Sequence, residues 1–266
     1  MVLKEINNIV IIGSGNVATH LALAFQENGI HILQIFSRNI ENAKNLAIKV
    51  GAAYTNVLLE IRDNADLYLF AVSDSAVISI LQSYNWQNKL LAHTAGSLPI
   101  DIFQPFSENY GVFYPLQSFT KGRNFELKKV PFLIEGNNTT SEEILLRFAK
   151  KVSKKTICMK SEQRTAIHLA AVFASNFSNH MYSIASEILS KNNIPFNILN
   201  SLIEETTNKA IQTSPITAQT GPARRNNTEI LQKHIDMLAS EPDWQKIYTF
   251  ASESIINFYK EKDDKF

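Results

Sequence analysis

Six residues near the start of the chain have the types and spacing to hold a phosphate: Gly13-Ser14-Gly15-Asn16-Val17-Ala18, a G-x-G-x-x-A. Glycine at 13 permits a tight turn, glycine at 15 lets backbone approach a pyrophosphate, and alanine at 18 lets a helix pack closely on a strand. The anion would rest on free N–H groups at a helix amino end. The apolar, β-branched run at 9–12 before the motif and the helical spacing of Val17, Leu21, Ala24 and Phe25 after it supply a strand–turn–helix context. That context favours a dinucleotide site over a bare turn or a methyltransferase loop.

The next strand, HILQIF, ends in Ser37-Arg38-Asn39. An NAD site usually places a carboxylate there for the ribose hydroxyls. A guanidinium with neighbouring hydroxyl and amide groups suits a 2′-phosphate, which arginine can meet with forked bonds. NADP(H) is therefore the expected coenzyme, against the plainer reading of Arg38 as a solvated loop cation. Later strand tips add Val72-Ser73-Asp74, then His93-Thr94-Ala95-Gly96-Ser97, then YPLQSF at 114–119. In open α/β sheets ligands lie beyond the carboxyl ends of strands, so Val72, Ser73, Asp74, Thr94 and Gly96 are further coenzyme contacts. Ordinary turn chemistry favours the same residue types.

A polar stripe falls within an apolar stretch further on. On a wheel of about 100° per residue, His168, Ser175, Asn176 and Asn179 share roughly a third of the circumference. Such a stripe on a buried helix must find partners or face a wet cavity, so it is either a substrate site or an internal hydrogen-bond network. The segment SPITAQTGPARRNN offers Thr220 and Arg224, as a plain connector or as a loop over an anionic substrate.

The elements that must position these residues alternate strand and helix through the first half, which calls for a doubly wound parallel sheet with helices on both faces. Helical stretches include IENAKNLAIKV, stopping at Gly51, a polar segment around VLLEIRDNA, SAVISILQSY and SEEILLRFAKKV. From Ser161 the strand signal fades. The run SEQRTAIHLAAVFASNFSNHMYSIASEILSKNN reads as one long helix, capped by Ser161 with Arg164 in its first turn. Shorter helices follow. The expected organisation is an α/β Rossmann-type coenzyme domain over 1–156 and an all-α domain for substrate and dimerisation over 157–266.

Composition narrows the classes. The 266 residues, 45% hydrophobic and 19% charged, suffice for one large or two ordinary domains. A formal net charge of +1 gives no field for nucleic acid or anionic lipid. One cysteine, Cys158, rules out an intrachain disulfide and points to a reducing compartment. The six histidines are scattered, so no metal site is expected. The amino end, MVLKEINN, leads into the first strand without a targeting segment, and no apolar run could span a bilayer. The expectation is a soluble, cytoplasmic protein.

The segments IGSGNVATHL, FSRN, AVSD, HTAGS, YPLQSF, HLAAVFASNF and TGPARRN occur in order over nearly the whole chain. Together they resemble the two-domain Rossmann-type reductases: pyrroline-5-carboxylate reductase, the β-hydroxyacid dehydrogenases, deazaflavin-dependent NADP oxidoreductases and, most nearly, largely uncharacterised bacterial proteins assigned as NADP oxidoreductases. The resemblance implies an NADP domain, a helical domain that forms a homodimer, and an active site in the cleft between them. It also exposes a departure. Asn176 matches the family's asparagine, but Val172 holds the place of the catalytic lysine of β-hydroxyacid dehydrogenases. His168, on the same stripe, could take over as proton donor, because imidazole can act in either direction near neutral pH. His93 is the second acid/base candidate, Asn176 would orient substrate, and Ser175, Asn179, Thr220 and Arg224 would bind it. The expected reaction is hydride transfer between nicotinamide and a small carbonyl or imine. A non-catalytic NADP(H) sensor or scaffold is the alternative.

Overall fold

Every residue of β1 (Asn8–Ile12) except its first is buried, because both faces of this strand are covered. Ile9 and Ile11 enter one apolar cluster, with Leu21, Phe25, Phe113 and Phe148, while Val10 and Ile12 enter a second, with Tyr68, Phe70, Trp86 and Phe103. The period-2 alternation of a strand thus feeds two cores. This computed structural model describes residues 5–123 and 126–263, so the first four residues of MVLKEINN lie outside the described residues.

β1 runs into α1 (Asn16–Glu27), β2 (His31–Phe36), α2 (Ile40–Val50), β3 (Ala53–Thr55), β4 (Leu67–Phe70), α3 (Asp74–Leu81) and β5 (Leu90–His93). β6 (Asn109–Pro115), β7 (Pro131–Gly136), α4 (Thr139–Val152) and β8 (Lys155–Cys158) complete one sheet of order β3-β2-β1-β4-β5-β6-β7-β8. α2 stops as expected, with Gly51 at φ 67°. The first six strands have the doubly wound order, with its switch point between β1 and β4. β7 departs from the all-parallel expectation: it pairs antiparallel with β6, Phe113 opposite Ile134, and parallel with β8. A parallel pair needs a crossover, usually a helix, and the described residues joining β6 to β7 hold only a 3-10 turn at Leu127–Lys129.

Two helical expectations change. Around VLLEIRDNA there is only a 3-10 turn, Leu58–Glu60, because Leu59 and Val57 point to solvent and leave no apolar stripe to bury. The long helix is interrupted: α5 (Ser161–Ala171) passes through a π-helical stretch, Val172–Phe177, into α6 (Ser178–Lys191). Lys160, not Ser161, is the N-cap residue, and its backbone N–H donates to Gln163 Oε1 at 3.3 Å. The side chain of Ser161 instead donates to Glu135 Oε2 over 2.8 Å.

The chain divides into two compact units, Met1–Asn176 and Phe177–Phe266. The division lies beyond the expected junction at 156/157, because β8 extends the sheet and α5 is bound to β7 through Ser161 and Arg164. The second unit is helical: α6, α7 (Asn200–Gln212), α8 (Pro215–Ala218), α9 (Thr228–Met237) and α10 (Pro242–Asp263). Pro215 and Pro242 each occupy the first residue of their helices, where a missing N–H costs nothing. Among the described residues no helix is long and apolar enough to cross a membrane.

Candidate coenzyme site

The turn after β1 is built as the motif requires. Gly13 has φ 128°, and a Cβ there would meet the Ala71 carbonyl oxygen at 2.2 Å, so side chains are excluded on both counts. Its N–H bonds the Phe36 carbonyl at 2.8 Å, tying the turn to β2. A Cβ on Gly15 would meet nothing within 4 Å. Ala18 is fully buried in the core and serves helix packing rather than ligand contact. No side chain caps the amino end of α1, which leaves its first N–H groups for an anion.

These residues open on a cavity of about 630 Å³ lined wholly from the first unit. Gly13, Ser14, Gly15, Asn16, Val17, Ser37, Arg38, Val72, Ser73, Asp74, Thr94, Gly96 and His168 all lie on its wall. Its size suits a cofactor, and open space beside Gly15 together with the uncapped helix end fits a dinucleotide pyrophosphate. Arg38 is exposed at the wall beside Ser37, whose Oγ accepts from Ser14 Oγ at 2.8 Å. Across the cavity, Asp74 accepts from Ser97 Oγ at 2.5 Å. The segment after β6 is pinned over α1: Asn16 Nδ2 donates to the Phe119 carbonyl, and His20 Nε2 meets the Thr120 carbonyl, both at 2.9 Å. This brings Gln117 and Phe119 to the wall.

His168 reaches the cavity from α5 and rests on the 94–97 loop. A Cβ on Gly96 would strike its Nδ1 at 2.5 Å. Nδ1 also lies 3.2 Å from Tyr114 Oη, with the two rings edge to face. Burial raises the Tyr114 pKa above the usual phenol range, the Arg164 charge pulling it partly back. A protonated phenol can donate to Nδ1 when the imidazole carries its proton on Nε2, or accept from Nδ1 in the other tautomer.

Arg164, one turn before His168, was visible in the sequence only as a first-turn residue. It is 1% exposed, pairs with Glu135 of β7, donates to the Leu98 carbonyl and lies 3.2 Å from Ser161 Oγ. One guanidinium thus joins α5, β7 and the 94–98 loop, the three pieces that set His168 against Gly96. Tyr114, Ser97, Gln117 and Phe119, from the strand-tip segments 93–97 and 114–119 marked in the sequence, also reach the cavity. Their signal was position at strand tips; nothing in sequence spacing pairs Tyr114 with a histidine fifty-four residues away.

Several expected residues lie elsewhere. His93 is fully buried at the end of β5, its ring 5.6 Å from that of Phe103. Burial, reinforced by the Arg164 charge, pushes its pKa down to about 3, and its Nδ1 accepts from the Ala95 N–H. It is a neutral core group and is withdrawn as an acid/base candidate. Asn39 is likewise corrected: its Oδ1 accepts from Asn42 N as the N-cap of α2, and it does not line the cavity. Ser175 and Asn176, within the π-helical stretch, are exposed and do not line this cavity. Asn179 and Thr220 belong to the second unit, where Thr220 borders a separate apolar cavity of about 390 Å³. Arg224, in the same unit, lies over the Tyr259 ring at 4.5 Å.

A doubly wound sheet with a glycine turn, an uncapped helix and a basic tip on β2 defines a Rossmann-type dinucleotide-binding protein. Residues 8–95 match the family described as NADP oxidoreductase, coenzyme F420-dependent, and residues 130–255 match a domain of unknown function, DUF2520. A provisionally assigned NADP oxidoreductase from Bacteroides fragilis, BF3122, is 43% identical, with a TM-score of 0.90 over 94% of this chain and 98% of that one. The chain belongs to this family of NADP oxidoreductases. An imine reductase from Myxococcus stipitatus, solved with NADP+, shares the fold at 13% identity and a TM-score of 0.65, covering 97% of this chain and 94% of that one. A pyrroline-5-carboxylate reductase from Coxiella burnetii does so at 14% identity and 0.56, covering 97% and 98%. Comparison with curated proteins gives no match.

Proposed function

We propose that this protein is an NADP-dependent reductase of a small carbonyl or imine, with His168 as the proton donor. The observation that carries this reading is the placement of His168 on the wall of the cavity that holds the glycine turn, packed on Gly96 and bonded to Tyr114. When bound, the coenzyme supplies or accepts hydride at its nicotinamide ring. Gly13, Gly15 and the first N–H groups of α1 hold its pyrophosphate, while Ser37 and Arg38 meet the 2′-phosphate. In the tautomer in which Tyr114 donates to Nδ1, the His168 proton is on Nε2, where it can pass to the oxygen or nitrogen of the substrate. Thr94, Ala95 and Gly96 form the wall beneath the imidazole and keep that side of the reacting centre free of bulk.

We assign coenzyme binding to the sheet unit, and substrate selection and self-association to the helical unit. Large apolar side chains left exposed on the helical unit, Ile211, Met237 and Phe250 among them, support a homodimer, which light scattering of the purified protein tests. The exposed thiol of Cys158 accords with a cytoplasmic setting. The decisive experiment follows NADPH oxidation across ketoacids, aldehydes, ketones and cyclic imines, with wild type and His168→Ala side by side. A substrate turned over by wild type, and slowed by about a hundredfold or more in the variant, supports the assignment. Unchanged turnover removes His168 from the reaction; tight NADPH binding with no turnover on any substrate favours the sensor instead.

A further inference from the structure

Ser14, inside the glycine turn, and Ser37, at the tip of β2, meet side chain to side chain, Ser14 Oγ donating to Ser37 Oγ over 2.8 Å. A serine hydroxyl has one proton to give and two lone pairs to receive. By accepting from Ser14, Ser37 keeps its own proton for another acceptor. Its backbone N–H is already spent on the Thr55 carbonyl at 3.2 Å. Ser14 is 9% exposed, so no solvent shell competes strongly for its proton. Arg38 stands next in the chain on the same cavity wall, and among the described residues its guanidinium makes no hydrogen bond or ion pair.

The two coenzymes differ where this matters. A 2′-phosphate carries up to two negative charges and at neutral pH chiefly accepts hydrogen bonds, so it needs donors around it. A ribose 2′-hydroxyl can donate or accept and is served by either orientation of a neighbouring hydroxyl. We propose that Ser14 is a positioning residue for coenzyme choice: by donating to Ser37 it holds that hydroxyl as a donor, which favours the 2′-phosphate of NADPH over the 2′-hydroxyl of NADH. Ser14 then acts through Ser37, not by touching the phosphate itself. The inference rests on the coenzyme assignment above.

The test is equilibrium binding of NADPH and of NADH, by calorimetry, to the full-length protein. It compares wild type, Ser14→Ala, Ser14→Thr, Ser37→Ala and the Ser14→Ala/Ser37→Ala double variant, each checked for a native melting transition. Ser14→Ala is expected to weaken NADPH about 3- to 10-fold more than it weakens NADH, the worth of one oriented hydrogen bond. Threonine, which keeps the hydroxyl, restores the preference. In the Ser37→Ala background the Ser14 substitution has no further effect, as a path through Ser37 demands. Equal weakening of both coenzymes overturns the proposal, as does an undiminished effect in the absence of the Ser37 hydroxyl. If Ser14→Ala does not fold, Ser14→Gly carries the same comparison. A wild-type chain that binds neither coenzyme sinks the coenzyme assignment itself, an outcome distinct from either.

Discussion

The fold holds His93 neutral, and that makes acid an informative perturbation. Burial, aided by the Arg164 charge, lowers this imidazole from its ordinary 6.5 to about 3. Unfolded chains therefore take up the proton first as the pH falls through 6.5, and each protonated unfolded chain draws the equilibrium away from the native state. The stability that depends on the neutral ring is complete above pH 6.5 and is lost progressively down to about pH 3, where the native protein binds the proton too. At about 1.4 kcal/mol per pH unit the whole effect is worth about 5 kcal/mol, and about 3 kcal/mol of it falls between pH 7.5 and 4.5. Against a typical total of about 5–15 kcal/mol, that loss is large. The assay is urea unfolding at several pH values for wild type and His93→Asn, whose amide oxygen can stand in for Nδ1 as acceptor from the Ala95 N–H. The variant should be less stable at neutral pH yet lose about 3 kcal/mol less on acidification. Parallel pH curves for the two proteins, or a His93 ring resonance that titrates near 6.5 in the native state, would refute the reasoning.

Three other substitutions have clear expected outcomes. Arg164→Met leaves the largely buried Glu135 carboxylate without its counter-charge, held among the described residues only by Ser161, and should cost about 3–5 kcal/mol in urea unfolding. Arg38→Ala should weaken NADPH by roughly ten- to a hundredfold in a binding titration, the worth of about 1.5–3 kcal/mol in charged hydrogen bonds, with NADH little affected. Gly13→Ala combines a positive φ with a collision against the Ala71 carbonyl, so its melting temperature should fall far more than that of Gly15→Ala, whose new methyl enters open space.

The coenzyme half of the cavity was legible because its signals are local. A β-branched run, two glycines and an amphipathic helix lie within about twenty consecutive residues, and the backbone they dictate differs little from one protein to another. Gly51 ended α2 for the same reason, by its own left-handed φ. The reacting half was less legible. Tyr114 and His168 come together through strand order and through Arg164, neither of which has a periodicity. The polar stripe assumed one helical repeat throughout, and a six-residue π-helical stretch breaks that repeat between His168 and Asn179. His93 and Asn39 have the right chemistry at strand tips, but a core position and a helix cap claim them.

The contact between Gly96 and the His168 ring binds two distant positions into one unit of evolutionary change. Any side chain at 96 would have to occupy the volume of the imidazole, so glycine there can drift only after 168 has shrunk. Among relatives that retain this cavity, the two sites should covary: histidine at 168 accompanied by glycine at 96, and a bulkier 96 found only where 168 has lost its ring.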